Sequence, residues 1–434
     1  MIANTPFLEM NLSKKGAFLF SRCKEGVRLN KLVWSMVLNC GGSSIKYKLF
    51  NMDNESMIAD GNIQGLGKSR GHISFNVSGS KTVDKEMPIA DHTAGLQIII
   101  DHFDGLMKNG IIDSLSSLLI VHKIAHGGDK VAPVELITKK VEAAIADMSV
   151  VTSVHNPPML EGIRAMQVIR PNVPQIAVFE TGFHTTLPEY ASVYGLPYEW
   201  AEDYGLRKYG FHGASHRYIS EMVPELIGSS ATDLRLISIH LGSGTSVAAI
   251  KGGRSVDISS GFTPQSGTMM STRAGDFDPE ILYFLLARKI LSLEELRDIL
   301  NNKAGLAGIS GIPGGDIRDI QKAAATGNAR AKLAMDAFGY NIKKFIGAFG
   351  VALQGIDVIS FTGGIGENNP QIRAEICDGM EWLGVRLDQA KNDSASGNSI
   401  ISKIDSPVKV VILPTDEERI VARQAFEFWK KRRK

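Results

Sequence analysis

The sequence predicts an α/β chain made of two related halves, with a nucleotide held in the cleft between them. Two observations carry this expectation. The stretch from Ile237 to Pro279 opens with an apolar run, a Gly/Ser turn (Gly242 to Thr245), a second run (Ser246 to Ile250), a tight Gly252-Gly253 turn and a third run. A fainter copy stands at Val37 to Gly61, with its first turn at Cys40 to Ser44 and its second at Asp53-Asn54. Strand, glycine turn, strand, turn, strand is a β-meander, and its first turn exposes backbone N–H groups and hydroxyls without side-chain bulk. Two such turns on related halves fit one phosphate-bearing ligand gripped from both sides.

Composition permits this and excludes other classes. A chain of 434 residues with 44% apolar and 22% charged residues can bury two full cores. The net charge of +2 carries no block of one sign before Lys430 to Lys434, so nothing argues for nucleic acid, and the terminal run reads as a solvated helix end. Cys23, Cys40 and Cys377 have neither disulfide-framework nor zinc spacing, which fits a reducing cytoplasm. No apolar run reaches membrane length. Residues 1–35 hold more bases (Lys14, Lys15, Arg22, Lys24, Arg28, Lys31) than acids (Glu9, Glu25), a bias shared with transit peptides. They read better as a poorly ordered extension ahead of the first strand, which begins near Lys31 to Val37.

In chain order, Ile73 to Val83 reads as one strand and Thr93 to Met107 as an amphipathic helix. Strand Ser117 to Ala125 delivers Lys123 beside His122 and His126 at a glycine turn. A helix from Thr138 to Val150 is stopped by Asn156-Pro157-Pro158, which fix a rigid turn after His155; that histidine reads equally as a cap or a pocket residue. Strand Gln175 to Phe179 ends in Glu180, at the strand end where open α/β sheets meet ligands, or where an acid caps a helix. In RKYGFHGASHRY, His212 lies between Phe211 and Gly213 with little shielding, whereas His216 has the helical spacing of a packed residue.

Beyond the second meander, Asp278 and Pro279 read as N-cap and first helical residue, and Ser292 with Glu295 as a capping box. Neither explains Arg273, whose planar fork suits a carboxylate or phosphate. The helix Asn328 to Leu353 is expected to bury Ala334, Phe338, Asn341, Phe345, Ala348, Phe349 and Ala352. A buried strand then enters Gly363-Gly364-Ile365-Gly366-Glu367-Asn368 and a helix, a nucleotide-site pattern in which small residues admit the ligand and the helix N-terminus favours negative charge. Thr415 and Glu418 read as a last capping box. Glu417 beside them has no structural explanation and suits a magnesium ion on nucleotide phosphates.

Together the motifs LNCGGSSIKYKLF, HKIAHGG, HNPP, VFETGFHTTLPE, KYGFHGASHRY, HLGSGTSVAAI, GFTP, STRAGDFDP, GISG with DIRDI, FTGGIGEN and PTDEE, in this order over Val37 to Phe428, resemble the short-chain acyl kinases of the acetate kinase family. The resemblance implies two ribonuclease-H-like domains of the actin, hexokinase and seventy-kilodalton heat-shock protein fold group. Their expected bounds are 36–180, with the C-terminal helix 418–434 packed back on it, and 181–417. It also implies a homodimer, ATP or ADP with magnesium (manganese as a substitute), and reversible phosphoryl transfer to acetate or propionate.

By the same resemblance, His155, Lys123, Glu180, His212 and Arg273 surround the transferring phosphoryl group, and Asn39 and Glu417 are associated with the metal. Ser44 and Lys46 of the first hairpin, His240, Gly242, Ser243 and Gly244 of the second, Asp316, Ile317 and Arg318, and Gly363, Gly364, Ile365, Gly366, Glu367 and Asn368 hold the nucleotide. Lys123, Ala125, Val154, Phe211, Pro264 and Arg273 form the acyl site. Four positions depart from the family pattern: Lys123 replaces arginine, Glu180 aspartate, Ser243 asparagine and Gly42 serine. Lysine keeps charge without the bidentate fork. Ala125 for valine and Val154 for leucine predict a wider acyl pocket. The competing reading is an impaired homologue serving as a nucleotide-binding regulatory dimer, with Lys123 and Glu180 as its support.

Overall fold

The computed structural model describes residues 34–112 and 118–433. The expectation for residues 1–35 therefore falls almost wholly outside the described residues. The strands are β1 (Trp34–Gly41), β2 (Ser44–Asn51), β3 (Ser56–Gln64), β4 (Gly71–Val77), β5 (Ser80–Met87), β6 (Leu118–Ile124), β7 (Val134–Leu136) and β8 (Gln175–Phe179) in the first half. In the second they are β9 (Arg235–Leu241), β10 (Thr245–Lys251), β11 (Arg254–Ile258), β12 (Val358–Thr362), β13 (Ser399–Ile400) and β14 (Lys409–Ile412).

The duplication expected from two meanders extends to five strands in each half. The first sheet runs β5-β4-β3-β2-β1-β6-β8-β7 and the second β11-β10-β9-β12-β14-β13. In each, three antiparallel strands are followed by two parallel to the first, β6 and β8 beside β1, β12 and β14 beside β9. The parallel strands β8 and β12 are buried along their whole length, as continuous apolar runs covered by helices on both faces should be.

Two helices position the site. Ala329–Ala352 covers the second sheet through Ala331, Ala334, Phe338, Ile342, Ile346 and Phe349. The last helix, Glu417–Arg433, follows β14 yet packs on the first sheet, setting Ile420, Val421, Ala422 and Ala425 against Val37, Phe50, Val121 and Val178. That crossing brings Glu417 from one half to the strand ends of the other.

Several local expectations are corrected. Residues 71–87 form a hairpin rather than one strand, because Ser78 and Gly79 both take positive φ (48° and 80°), the twist a two-residue hairpin turn needs. Pro157 and Pro158 open the helix Asn156–Ile169 in addition to ending what precedes it; a ring with no N–H costs nothing in a first helical turn. The helix after Asp278 starts at Glu280, one residue late, and the Asp278 carboxylate accepts from Glu280 N at 2.9 Å. In Ala329–Ala352, Ala348 and Ala352 are exposed while Ile342 and Ile346 are buried; the true stripe is rotated about the axis, since alanines mark no face strongly. The Thr415–Glu418 capping box is absent. Because the helix begins at Glu417, Thr415 sits one residue too early: its hydroxyl has no partner, and Glu418 pairs with Lys48 at 3.0 Å. The Ser292–Glu295 box is present.

Candidate active site

The site begins where β6 and β8 end. Lys123 is paired with Val178 across these parallel strands, and Glu180 N continues the ladder by donating to Ile124 O at 2.8 Å. Alternation returns Glu180, two residues past Val178, to the face of Lys123. Lys123 Nζ lies 3.1 Å from Glu180 Oε1 and donates to the Glu417 carboxylate brought in by the last helix. Burial alone would lower the Lys123 pKa, but the two carboxylates outweigh it and hold the ammonium above its ordinary value. For Glu180 burial dominates and raises the pKa; for Glu417 the opposing effect of burial is overcome by Lys123 and His240, and the pKa is lowered.

This cluster bears on the implied metal. Both Glu180 oxygens are buried; Oε1 is ion-paired with Lys123, and neither oxygen has a well-formed hydrogen bond. Carboxylates with unused lone pairs beside a second carboxylate fit a hard divalent cation. Among the described residues no group of three or more His, Cys, Asp or Glu is placed to hold a metal ion by itself.

His212 stands at the start of helix Gly213–Ile227 in the left-handed region, φ 57°, a strained conformation for a side-chain-bearing residue. Gly213 follows because the helix is pressed onto the strand end: a Cβ there would lie 2.1 Å from Glu180 O. The His212 ring stacks on His240 with centroids 4.4 Å apart, and its Nδ1 is 2.8 Å from Ser246 Oγ. Its Nε2 and an Arg273 Nη2 converge on the glycine turn, 3.2 and 3.1 Å from where a Gly244 Cβ would sit. Arg273 Nη1 donates to Pro264 O at 2.8 Å. Burial, then His240, His216 and the cations Arg273 and Lys123, push the His212 pKa well below its ordinary value. His155 is lowered to about 4 by burial and then by Arg273 and Lys123. Both rings are neutral near pH 7.

Two cavities flank this point. One of about 520 Å³ is lined by Gly242, Ser243, Asp316, Ile317, Arg318, Gly364, Ile365 and Asn368 of the expected nucleotide set, together with Ser271, Gly314 and Asn369, which the sequence reading missed. Asn369, an N-cap before Pro370, was a legible signal; Ser271 beside Arg273 was not. Gly363, Gly366 and Glu367 lie behind this wall: Glu367 accepts from Gly363 N at 2.9 Å and closes the glycine turn. Asp316 is occupied by Arg318, whose guanidinium and backbone N–H lower its pKa to about 2.

The other cavity, about 160 Å³, brings together Val154, His155, Pro264 and Arg273. Ala125 and Phe211 are buried and do not line it. Asn39, Ser44 and Lys46 sit at the corresponding turn of the first sheet, outside both linings. His216, read as a packing residue, is fully buried and bonded to Ser238 and Ser246.

The chain matches the Acetokinase family over residues 34–423. An acetate kinase of Bacteroides fragilis is 44% identical over 388 residues, covering 89% of this chain and 97% of that relative. The crystal structure of Porphyromonas gingivalis acetate kinase superposes with a TM-score of 0.81 at 38% identity, covering 92% of this chain and 100% of that one. A propionate kinase from Francisella tularensis superposes at 0.82 with 32% identity, covering 90% and 98%. Identity at this level over both halves shows that the chain belongs to the acetokinase family, and its activity is acetate kinase activity.

Proposed function

We propose that the chain phosphorylates acetate, and propionate about equally well, by direct in-line transfer of the ATP γ-phosphoryl group across the point above Gly244. The observation that carries this reading is the convergence of His212 Nε2 and Arg273 Nη2 on that turn, between a cavity walled by Gly242 and Ser243 and one walled by His155, Pro264 and Arg273. Phosphoryl transfer asks little covalent chemistry of a protein; it asks for alignment and for donors around the equatorial oxygens. Arg273 supplies a charged fork and His212 a neutral donor. Glycine at 244 leaves room for the group between them.

Magnesium, when bound with ATP, supplies positive charge to the phosphates, and Glu417, Glu180 and Asn39 are the residues to hold it. Lys123 favours the ionised form of Glu417, while burial works against ionisation of Glu180 beside it. Cys40 and Cys377 are free and buried, which supports a cytoplasmic enzyme. Among the described residues no helix is long and apolar enough to cross a membrane.

Val154 is 56% exposed at the rim of the smaller cavity, so a longer acyl chain meets little resistance there. Trapping the acyl phosphate as its hydroxamate, with MgATP and acetate, propionate or butyrate in turn, tests the reading. Comparable kcat/KM for acetate and propionate is expected; a preference for acetate beyond about tenfold defeats the substrate range, since one methylene is worth about 1–3 kcal/mol in an apolar pocket. No product from protein that binds ATP would support the impaired homologue.

We further infer that a second copy covers the helix Glu280–Ala287. None of its residues is buried, and Ile281, Tyr283 and Phe284 are 49%, 65% and 52% exposed, an apolar face that a lone soluble chain would not keep in water. Sedimentation should find a dimer that Phe284→Glu converts to monomer; a monomeric parent protein contradicts it.

A further inference from the structure

We propose that Ser246 is a positioning residue for His212: its hydroxyl, shared with His216, holds the His212 imidazole in the tautomer whose proton sits on Nε2, facing the cleft. The proposal rests on the reading that His212 meets the transferring phosphoryl group through Nε2. A neutral imidazole serves an anionic phosphoryl oxygen only through an N–H; the other tautomer would present a lone pair to negative charge.

The proton positions follow from counting donors. Ser246 Oγ lies 2.8 Å from His212 Nδ1 and 2.8 Å from His216 Nε2, and has one proton to give. At the far side, His216 Nδ1 lies 2.9 Å from Ser238 Oγ. Three proton arrangements have to be weighed. In the first, Ser238 donates to His216 Nδ1, His216 Nε2–H donates to Ser246, and Ser246 donates to His212 Nδ1, leaving the His212 proton on Nε2. In the second every bond is reversed, and the Ser238 proton is left over. In the third, Ser238 again donates to His216 Nδ1, both imidazoles donate to Ser246, and the Ser246 proton is left over.

Ser238, Ser246 and His216 are fully buried, with no access to water. Among the described residues His216 is the hydrogen-bond partner of the Ser238 hydroxyl; Ser360, its neighbour across the sheet, has a hydroxyl that makes no hydrogen bond. Within the relay the second arrangement therefore strands the buried Ser238 donor and the third the buried Ser246 donor, and the first strands neither. That penalty biases the relay by about tenfold or more. Burial, the largest cause, keeps both imidazoles neutral, so the tautomer is a real choice at each ring.

The test reads the tautomer itself, by two-bond proton–nitrogen correlation spectra of the full chain carrying nitrogen-labelled histidine. The parent protein should show His212 neutral with its proton on Nε2. Ser246→Ala should give a mixture of tautomers at His212 and lower kcat about tenfold, with KM for acetate unchanged. Ser238→Ala, at the remote end, should shift the same tautomer with a smaller loss of kcat, and it carries the test if Ser246→Ala does not fold. A parent His212 protonated on Nδ1, or variants that keep the Nε2 proton and full kcat, would overturn the proposal. Full kcat in His212→Ala alongside the expected spectra would instead overturn the reading of the site.

Discussion

Arg273→Ala is expected to lower kcat for acetyl phosphate formation by about a thousandfold, the scale on which an arginine facing a transferring phosphoryl group acts. The guanidinium makes no ion pair among the described residues; its one hydrogen bond goes to Pro264 O at 2.8 Å, leaving the rest of the fork to the cleft. A side chain partly removed from water with its charge unpaired is costly to keep, and its pKa is lowered by that burial. Ligand charge is the natural compensation. Arg273→Lys should recover only part of the loss, because a lysine offers no planar pair of donors. Binding of ATP should be little changed, since the larger cavity is lined without Arg273. Steady-state rates with acetate and MgATP, paired with calorimetric ATP affinity, check this; a loss of kcat below about tenfold contradicts it.

The second large effect is on stability in acid. His122, His126 and His184 are buried, with pKa values lowered to about 4, burial being the leading cause in each. Their hydrogen bonds match the neutral ring. His126 Nε2 donates to Phe262 O and its Nδ1 accepts from Gly128 N, while His184 Nε2 donates to Phe211 O. Above about pH 6.5 these rings are neutral in both states and contribute no pH dependence. As pH falls below that value the unfolded chain takes up protons that the folded chain refuses until about pH 4, so stability falls. Each ring contributes about 1.4 kcal/mol per pH unit inside this window, hence about 4 kcal/mol per unit for the three. Summed over the window this is about 10 kcal/mol, enough to remove most of a net stability of roughly 5–15 kcal/mol by about pH 4. Urea midpoints at about pH 7, 6 and 5 should fall steeply; a flat series contradicts the buried neutral rings.

Much of this architecture was legible in the sequence because its signals are local. The paired meanders around Gly42 and Gly244, the strand–glycine–helix at Gly363 and the lone arginine after MetMetSerThr each declare themselves within a dozen residues, and the larger cavity is lined largely by residues of the glycine motifs. What escaped depends on distance or on shared residue types. Lys123 reads as a free cation in sequence, yet it is bound to a glutamate 294 residues away that arrives on a helix crossing between the sheets. Proline before a helix and proline after one look alike, which is why the turn at Asn156 concealed a helix start. Alanines at Ala348 and Ala352 offered a stripe as regular as the isoleucines that win the core. The relay through Ser246 joins residues from β9, β10 and a helix start, and no spacing marks it.

The central claim is that His212 and Arg273 act on one phosphoryl group above Gly244, and a double-mutant cycle tests it most directly. The kcat values of His212→Ala, Arg273→Ala and the combined variant, measured with acetate and MgATP, should be strongly non-additive, the double variant losing far less than the product of the two single losses. Strictly multiplicative losses would mean that the two groups act independently, and would contradict the account.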